Sequence, residues 1–287
     1  MNESIKVKDI IKKAEEIFIR TGIESPDTDA FELMDYVAGI DKKTLLSDPD
    51  ATVTQEEAVR YHALVMDRAR RIPLQHITGR AFFYGLEFKV NGNVLVPRFD
   101  TEILVEEAMK ELKADSRVLD VCTGSGCIIT ALDVGGEKKS SYYNFKEGVA
   151  TDISPEALKV AKENARLHDA SNISFICGDL FEGVEGCFDI IVSNPPYIAA
   201  GQIDGLAPEV SRFDPRIALD GGEDGLVFYR RIIARAGCFL KKHGKIFLEI
   251  GYDQGRAVSG MLKDAGFEDV EVIKDYGGND RVVKGCM

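Results

Sequence analysis

The tetrapeptide Asn194-Pro195-Pro196-Tyr197 could hold a planar NH2 group. Proline lacks a backbone N–H, fixes its own φ and forces the preceding residue into extended backbone. The turn is therefore stiff and offers carbonyl acceptors, to which the Asn194 side-chain oxygen adds another. Tyr197 adds a flat ring with a polar tip. Two acceptors beside a ring would suit an amide or an aromatic amine, whereas the simpler interpretation is a proline-stiffened loop after a strand.

A glycine-containing loop, Cys122-Thr123-Gly124-Ser125-Gly126, is the second feature that could bind a ligand. It follows a predicted strand and opens a predicted helix, and glycine lets the backbone approach a ligand closely. Ile129 stands where a dinucleotide fingerprint has its third glycine. The loop therefore suits an uncharged or zwitterionic cofactor better than a pyrophosphate, although two glycines alone are a weak signal.

Two carboxylates stand at the ends of the next two predicted strands. Asp152 could accept hydrogen bonds from two ribose hydroxyls, or it could cap the following helix, a role for which Ser154 competes. Asp179 could accept from an adenine amino group, or it could be an ordinary loop carboxylate. Together with the glycine loop they predict a site for adenosine, ribose and an amino-acid tail.

The elements that position these residues alternate along the chain. Residues 188–193 form an apolar run before Asn194, and ligands in open α/β sheets lie at the carboxyl ends of such strands. The other strands are predicted at 117–121, 149–152, 173–176 and 245–250, with helices from about 127, at 155–167 and from about 225 to 242, and a closing antiparallel pair at 270–273 and 281–283. This alternation predicts an α/β fold with a doubly wound, mostly parallel, seven-stranded sheet.

The first part of the chain has a different pattern. Residues 5–75 show only helical periodicity and include a capping box at Thr54, so a small helical bundle without strands is predicted. Arg68, Arg70 and Arg71 are predicted to be a solvated helix end, with a binding role as the alternative. Residues 76–98 are predicted to form a β-hairpin around Asn91-Gly92-Asn93. The predicted domains are therefore 1–75, a hairpin linker 76–98, and 99–287.

Composition limits the class of protein. The 287 residues carry a net charge of −12, which argues against affinity based mainly on nucleic-acid phosphates. No apolar run reaches the length of a membrane span, and residues 1–10 show no signal core, so a soluble cytoplasmic protein is expected. The six cysteines form no C-x-x-C pair and are expected to be reduced and partly buried. The four histidines lack metal-ligand spacing, so no metal is expected.

The motifs D-V-C-T-G-S-G-C, T-D-I-S-P-E-A-L, C-G-D-L-F and S-N-P-P-Y-I, in this order, resemble those of the class I S-adenosylmethionine-dependent methyltransferases. N-P-P-Y is typical of members that methylate a planar nitrogen. Further stretches resemble the protein-(glutamine-N5) methyltransferases called PrmC or HemK; they are 73–79, 83–86, 96–98, Glu209, 215–226 and 279–283. The resemblance runs from about Asp27 to the C-terminus.

The resemblance implies methylation of the glutamine in the Gly-Gly-Gln loop of peptide-chain release factors, which supports translation termination. It implies S-adenosylmethionine as cofactor, S-adenosylhomocysteine as product, no metal, and a helical bundle that docks the release factor. The implied catalytic residues are Asn194, Pro195, Pro196 and Tyr197. The implied cofactor-binding residues are Cys122, Thr123, Gly124, Ser125, Gly126, Asp152, Asp179, Leu180 and Asn194. Phe83 and Tyr84 are either hairpin core or a wall of the cleft, and Glu249 and Asp224 are candidate supporting groups.

The chain departs from the family pattern at a few places. Cys122 stands where many members have glycine, Phe82 replaces a common glutamate, and Phe99 replaces a common proline. The run 135–147 is longer than expected. Three other functions remain: an adenine N6-methyltransferase acting on nucleic acid, a non-catalytic cofactor-binding protein, and a dinucleotide oxidoreductase. The acidic composition argues against the first, the intact N-P-P-Y against the second, and the two-glycine loop against the third.

Overall fold

A computed structural model describes residues 4–135 and 145–287. Its helices are α1 (Val7–Thr21), α2 (Pro26–Ala38), α3 (Lys42–Ser47), α4 (Gln55–Ala69), α5 (Leu74–Thr78), α6 (Glu102–Met109), α7 (Cys127–Val134), α8 (Pro155–Leu167), α9 (Pro208–Phe213), α10 (Val227–Ala236) and α11 (Gly255–Asp264). Its strands are β1 (Ile5–Lys6), β2 (Thr52–Val53), β3 (Arg80–Phe83), β4 (Leu86–Lys89), β5 (Arg117–Val121), β6 (Glu147–Asp152), β7 (Ile173–Cys177), β8 (Phe188–Ser193), β9 (Leu240–Glu249), β10 (Glu268–Lys274) and β11 (Asp280–Cys286).

The chain forms two compact units. The first contains the chain up to Gly79 together with Ala207–Phe213, and the second contains Arg80–Leu206 and Asp214–Met287. Most of the run 135–147 lies outside the described residues. Within the described residues, no helix is both long enough and apolar enough to cross a membrane.

The first unit is helical, as predicted. Its helices bury one apolar cluster, which includes Phe18, Leu33, Met34 and Val65. Helix α4 begins with the predicted capping box, because Thr54 accepts from the Glu57 N–H and the Glu57 carboxylate accepts from the Thr54 N–H. The expectation that no strand occurs here is wrong, since β1 and β2 form a short antiparallel pair. A two-residue strand leaves too little alternation for the sequence to reveal it.

Buried ion pairs hold α9 within the first unit. Arg68 donates from Nε to Asp29 Oδ2 at 2.6 Å and from Nη1 to Glu209 Oε1 at 2.9 Å. Arg71 Nη2 lies 2.7 Å from Glu209 Oε2. The prediction of a solvated basic helix end is therefore wrong for Arg68 and Arg71, while Arg70 is exposed. The partner Glu209 lies far along the sequence, where local periodicity cannot reveal it.

The second unit is built on a sheet. Within the described residues, seven strands form it in the order β10-β11-β9-β8-β5-β6-β7. Strands β9, β8, β5, β6 and β7 run parallel, and β11 and β10 add an antiparallel edge. The predicted fold class and closing pair are confirmed. The predicted helix 225–242 is too long, because α10 ends at Ala236 and β9 begins at Leu240.

Alternate residues of the central strands pack on opposite faces of this sheet. Ile191 of β8 belongs to the cluster formed with α10 and α11. Its neighbours Ile190 and Val192 belong to the cluster formed with α6 and α7. The sheet is therefore covered on both faces, as the continuous apolar runs of its parallel strands predict.

The hairpin differs from its prediction. Phe83 pairs with Leu86, so the turn is Tyr84-Gly85, and the predicted turn at 91–93 is wrong. Both turn residues have positive φ, 51° and 74°, as a type I′ turn requires. The Tyr84 N–H donates to Glu102 Oε1 at 2.8 Å, which supports a conformation that tyrosine rarely adopts.

The Asn91-Gly92 pair forms a different kind of turn from the predicted hairpin turn. The Asn91 side chain accepts from the Asn93 N–H at 2.9 Å, so these residues form an Asx turn in the leg that follows β4. Phe83 is 1% exposed and packs in a core cluster, which confirms the hairpin-core interpretation for this residue.

Several other side chains depart from expectation. Phe82 and Phe99, which replace common family residues, are 55% and 77% exposed. All six cysteines lie within the described residues, and those at 177, 187 and 238 are exposed, so the expectation of partly buried thiols is wrong for these three.

Candidate active site

The Asn194 tetrapeptide lies at the carboxyl end of β8, as predicted. The Ser193 hydroxyl donates to the Val121 carbonyl oxygen at 2.6 Å and fixes the end of β8 against β5. Asn194 is half-buried, and Pro195 and Pro196 are buried. The turn is therefore held rigidly where the parallel strands end.

A pocket in the second unit gathers most of the predicted site residues. Those that line it are Cys122, Thr123, Gly124, Ser125, Asp152, Asp179, Leu180, Asn194 and Pro196. Gly126, Pro195 and Tyr197 are not among the described residues that line the pocket. Additional lining residues that the sequence analysis did not select include 93–98, Thr101, Phe228 and Arg231. Residues 96–98 belong to a stretch that resembles the family but implies no site role, and the others belong to no motif that would predict a role in the site.

The glycine loop needs left-handed backbone at three positions. Gly124 and Gly126 have φ values of +55° and +76°. Cys122 also has a positive φ of 62°, a backbone conformation that suits glycine better than cysteine. Apart from Gly124 itself and its two chain neighbours, no heavy atom of the described residues lies within 4 Å of where a Gly124 Cβ would be. The loop backbone at Gly124 therefore borders open space in which a ligand could lie.

Gly126 serves packing instead. A Cβ at this position would lie 3.0 Å from the Cβ and 3.1 Å from the Cα of Ala161 on α8. The absence of a side chain therefore allows α8 to approach the start of α7.

Asp120, near the end of β5, holds the glycine loop through a hydrogen bond. It is fully buried, and the Thr123 hydroxyl donates to its Oδ2 at 2.6 Å. Burial raises the pKa of Asp120 to about 7, although the hydrogen bond from Thr123 opposes this. The sequence analysis placed Asp120 in the motif without assigning it a role.

Asp152 joins two of the loops at the sheet edge. It accepts from the Gly124 N–H at 2.9 Å and from the Ser154 N–H at 2.8 Å. Burial raises its pKa, while these backbone hydrogen bonds oppose the change. Ser154 caps α8 by accepting from the Ala157 N–H at 3.1 Å, so the helix cap is supplied by Ser154 and Asp152 is left to the loops.

Asp179 has a charged partner that was not predicted. Arg231 Nη2 lies 2.6 Å from Asp179 Oδ2, and both residues line the pocket. A second ion pair, Arg98 Nη2 to Asp214 Oδ2 at 2.6 Å, lies at the lining residue Arg98. Burial raises the pKa of Asp214 to about 6, with the charge of Arg98 opposing it.

Asn194 and Tyr197 each form a hydrogen bond with a buried residue. Asn194 Nδ2 donates to Thr101 Oγ1 at 3.3 Å. The Tyr197 hydroxyl donates to Glu249 Oε1 at 3.3 Å, and burial together with Glu249 raises the pKa of this phenol. Glu249 is 1% exposed, and burial raises its pKa to about 7. Of the two candidate supporting groups, Glu249 contacts Tyr197, whereas Asp224 is exposed and pairs with Arg230.

Family models match both parts of the chain. The PrmC N-terminal domain matches residues 9–79, and the methyltransferase small domain matches residues 98–209. A release factor glutamine methyltransferase of Thermodesulfovibrio yellowstonii is 41% identical over 260 residues, which cover 89% of this chain and 90% of that protein. A second, of Fusobacterium nucleatum, is 39% identical over 280 residues, covering 96% and 77%. The chain belongs to the release factor glutamine methyltransferase family.

This family member is therefore an enzyme that transfers methyl groups. A solved methyltransferase from Pyrococcus furiosus, 19% identical, superposes with a TM-score of 0.52 over 79% of this chain and 98% of that one. At that identity the likeness bears on the fold alone, and it agrees with the sheet of the second unit. The family resemblance inferred from the motifs is thus confirmed for nearly the whole chain.

Proposed function

We propose that this enzyme transfers a methyl group from S-adenosylmethionine to the side-chain amide nitrogen of the glutamine in the Gly-Gly-Gln loop of peptide-chain release factors. The observation that carries the proposal is the shared pocket. Asn194 and Pro196 of the N-P-P-Y turn line it together with the glycine loop and two carboxylates. Relatives about 40% identical are named for this substrate.

The residues present suit S-adenosylmethionine. The open space above Gly124 leaves room for a ligand against the loop backbone. Each Asp152 oxygen accepts one backbone N–H and keeps a lone pair for a ribose hydroxyl. Asp179 and Leu180 would flank the adenine, and Asp179 would accept from its amino group. When bound, the cofactor supplies an electrophilic methyl group on a sulfonium.

The residues of the N-P-P-Y turn would hold the substrate amide. An amide nitrogen is a weak nucleophile because its lone pair is delocalised into the carbonyl group. Positive charge grows on that nitrogen as its new bond to carbon forms. The side-chain oxygen of Asn194 and the carbonyl oxygen of Pro195 would accept the two N–H groups and stabilise this charge with dipoles that are already in place.

Orientation of the substrate nitrogen toward the methyl group would supply the rest of the rate enhancement. Fixing a nucleophile in line with its target can be worth about 7–11 kcal/mol. No side chain is needed as a base, because an alkylated amide cation loses its proton readily. We assign Tyr197 the role of shaping the substrate slot, and its hydrogen bond to buried Glu249 would keep the turn in one position.

The test is methyl transfer from labelled S-adenosylmethionine to purified substrates. One arm contains an unmethylated release factor, and a matched arm contains the same factor with Gln→Ala in its Gly-Gly-Gln loop. A further arm contains adenine-rich DNA and RNA. We expect label on the intact factor only. Label on the Gln→Ala factor would refute the assigned glutamine, and label on nucleic acid would favour adenine as the substrate.

A further inference from the structure

Thr101 is a hydrogen-bond partner of the Asn194 side chain. It ends a 3-10 turn, Phe99–Thr101, that leads into α6, and it is 2% exposed. Its Oγ1 accepts from Asn194 Nδ2 at 3.3 Å, and both residues line the pocket. A hydroxyl this deeply buried has few partners to choose from, so its hydrogen bonds constrain those of Asn194.

Glu249 constrains Thr101 from the other side. This buried carboxylate accepts from the Tyr197 hydroxyl through Oε1, while its Oε2 is buried with no hydrogen-bond partner among the described residues. The Thr101 hydroxyl is a nearby donor that lowers the pKa of this carboxyl. An ionised carboxylate can only accept, whereas a threonine hydroxyl has one proton to donate. An ionised Glu249 therefore favours the Thr101 hydroxyl with its proton toward the carboxylate. This leaves the Thr101 oxygen to accept from Asn194 Nδ2, as the 3.3 Å contact shows.

The two ends of an asparagine amide have almost the same shape and differ in hydrogen bonding. We propose that Thr101 is a positioning residue that keeps Asn194 Nδ2 turned toward itself and Asn194 Oδ1 turned toward the pocket, where it accepts from the substrate NH2. The inference rests on the proposed function, since an amide substrate requires an acceptor at this place. A reversed Asn194 amide would present its own N–H groups to the substrate N–H groups and repel them.

The arrangement depends on the ionisation of Glu249. Burial raises the pKa of this group to about 7, while the Thr101 hydroxyl, Arg281 and Tyr197 stabilise its charged form. The ionisable groups around it are Asp100, Cys127, Tyr197, Tyr229 and Arg281. Once protonated, Glu249 can donate to Thr101, whose own proton is then free for Asn194 Oδ1. The amide orientation should therefore be lost as the pH falls through about 7.

The first test compares Thr101→Val with Thr101→Ser. Valine keeps the shape and removes the hydroxyl, whereas serine keeps the hydroxyl. Thr130→Val is a matched control, because Thr130 is fully buried and its hydroxyl has no partner among the described residues. We expect kcat toward a release factor to fall about tenfold in Thr101→Val, the scale of one lost hydrogen bond. Thr101→Ser should recover most of this loss, and Thr130→Val should resemble the wild type.

Two results of that comparison would overturn the proposal. One is a wild-type kcat in Thr101→Val. The other is an equal loss in Thr101→Ser, which would mean that packing alone is involved. Cofactor Kd should be unchanged in all three variants, since none of these hydroxyls is assigned to the cofactor.

A second test needs no turnover. The Asn194 side-chain amide can be observed by 15N NMR and assigned through its loss in Asn194→Ala. In the wild type its shift should titrate near pH 7, together with Glu249. In Thr101→Val the titration should disappear, and an unchanged titration would refute the role of Thr101. If the wild type methylates no release factor, the proposed function fails, and this experiment still decides whether Thr101 orients Asn194.

Discussion

The Asp152 carboxylate accepts the Gly124 N–H at 2.9 Å, and this contact joins the loop after β5 to the loop after β6. A carboxylate that holds one loop while it lines the pocket has two functions at once. It fixes the spacing between the two loops, and it leaves lone pairs for ligand hydroxyls. Loss of Asp152 should therefore weaken cofactor binding by both routes.

We expect Asp152→Ala to weaken S-adenosylmethionine binding by about 10- to 100-fold, because hydrogen bonds to charged groups contribute about 1.5–3 kcal/mol. Titration calorimetry measures this directly. Ser154→Ala is the comparison, since it removes the α8 cap at another pocket-lining residue; it should cost about 1 kcal/mol of stability and change Kd far less than Asp152→Ala. Equal weakening in both variants would mean that Asp152 acts only through the start of α8.

The two loop glycines should respond differently to alanine. Gly124→Ala adds a methyl group in the open space of the pocket, so cofactor affinity should fall while the free energy of unfolding drops by about 1 kcal/mol from the positive φ. Gly126→Ala adds a contact with the Ala161 backbone to the same strain, so its loss of stability should be larger by about 1–3 kcal/mol. Urea unfolding and calorimetry separate the effects, and identical stabilities would contradict the packing role of Gly126.

Much of the second unit is predictable from sequence because its signals are local. Apolar runs bounded by glycine and aspartate indicate parallel strands, and parallel strands end at one edge of a sheet. That is sufficient to bring Gly124, Asp152, Asp179 and Asn194 to one pocket. The position of the Tyr197 ring is different, because sequence shows that the ring is near Asn194 but not that its hydroxyl contacts Glu249.

The features that sequence did not predict depend on residues far apart in the chain. Asn194 and Thr101 are separated by 93 positions, and Arg68 and Glu209 by 141. Tyr84 holds its turn through Glu102, 18 positions away. No periodicity or turn signal encodes such pairs, so the strongest local signal, Asn91-Gly92, predicts a turn that the structure places at Tyr84-Gly85.

Replacement of Asn194 should separate chemistry from cofactor binding. We expect Asn194→Ala to reduce kcat by about 10²–10³-fold, the effect of removing one preorganised hydrogen-bonding group from a reacting site. Kd for S-adenosylmethionine should change little. Asn172→Ala serves as control, because its side chain donates to the Phe145 carbonyl oxygen away from the pocket. Comparable losses of kcat and cofactor affinity in Asn194→Ala would refute its assigned role.

The buried Glu249 should make stability depend on pH in a defined direction. Its pKa is raised from 4.5 to about 7, so its contribution to folding is complete below pH 4.5 and is lost as the pH rises through about 7. Glu249→Gln does not titrate, so its stability relative to wild type should increase across that window, by on the order of 3 kcal/mol. Chemical unfolding at several pH values measures the difference.

Glu271→Gln is the control for this pH dependence. Lys284 lowers the pKa of exposed Glu271, so the stability that this pair contributes should be lost as the pH falls below about 4.5. The difference between Glu271→Gln and wild type should therefore be constant between pH 5 and 8. A difference for Glu249→Gln that is equally flat would show that Glu249 is ionised throughout.

The ion pairs of Glu209 give the last prediction. Its carboxylate lies between Arg68 and Arg71, whose side chains are 9% and 19% exposed. Glu209→Ala removes one partner of a buried pair and leaves guanidinium charge poorly compensated, which typically costs about 3–5 kcal/mol. Asp50→Ala breaks pairs with Lys6 and Lys8, whose side chains are about half exposed, and should change stability very little, because solvent screens exposed ion pairs. Thermal unfolding of both variants tests the contrast. Burial opposes the charge of Glu209, while Arg71, a backbone N–H and Arg68 lower its pKa. Similar midpoints would therefore mean that the ion pairs only offset this cost of burial and that apolar packing retains α9 in the first unit.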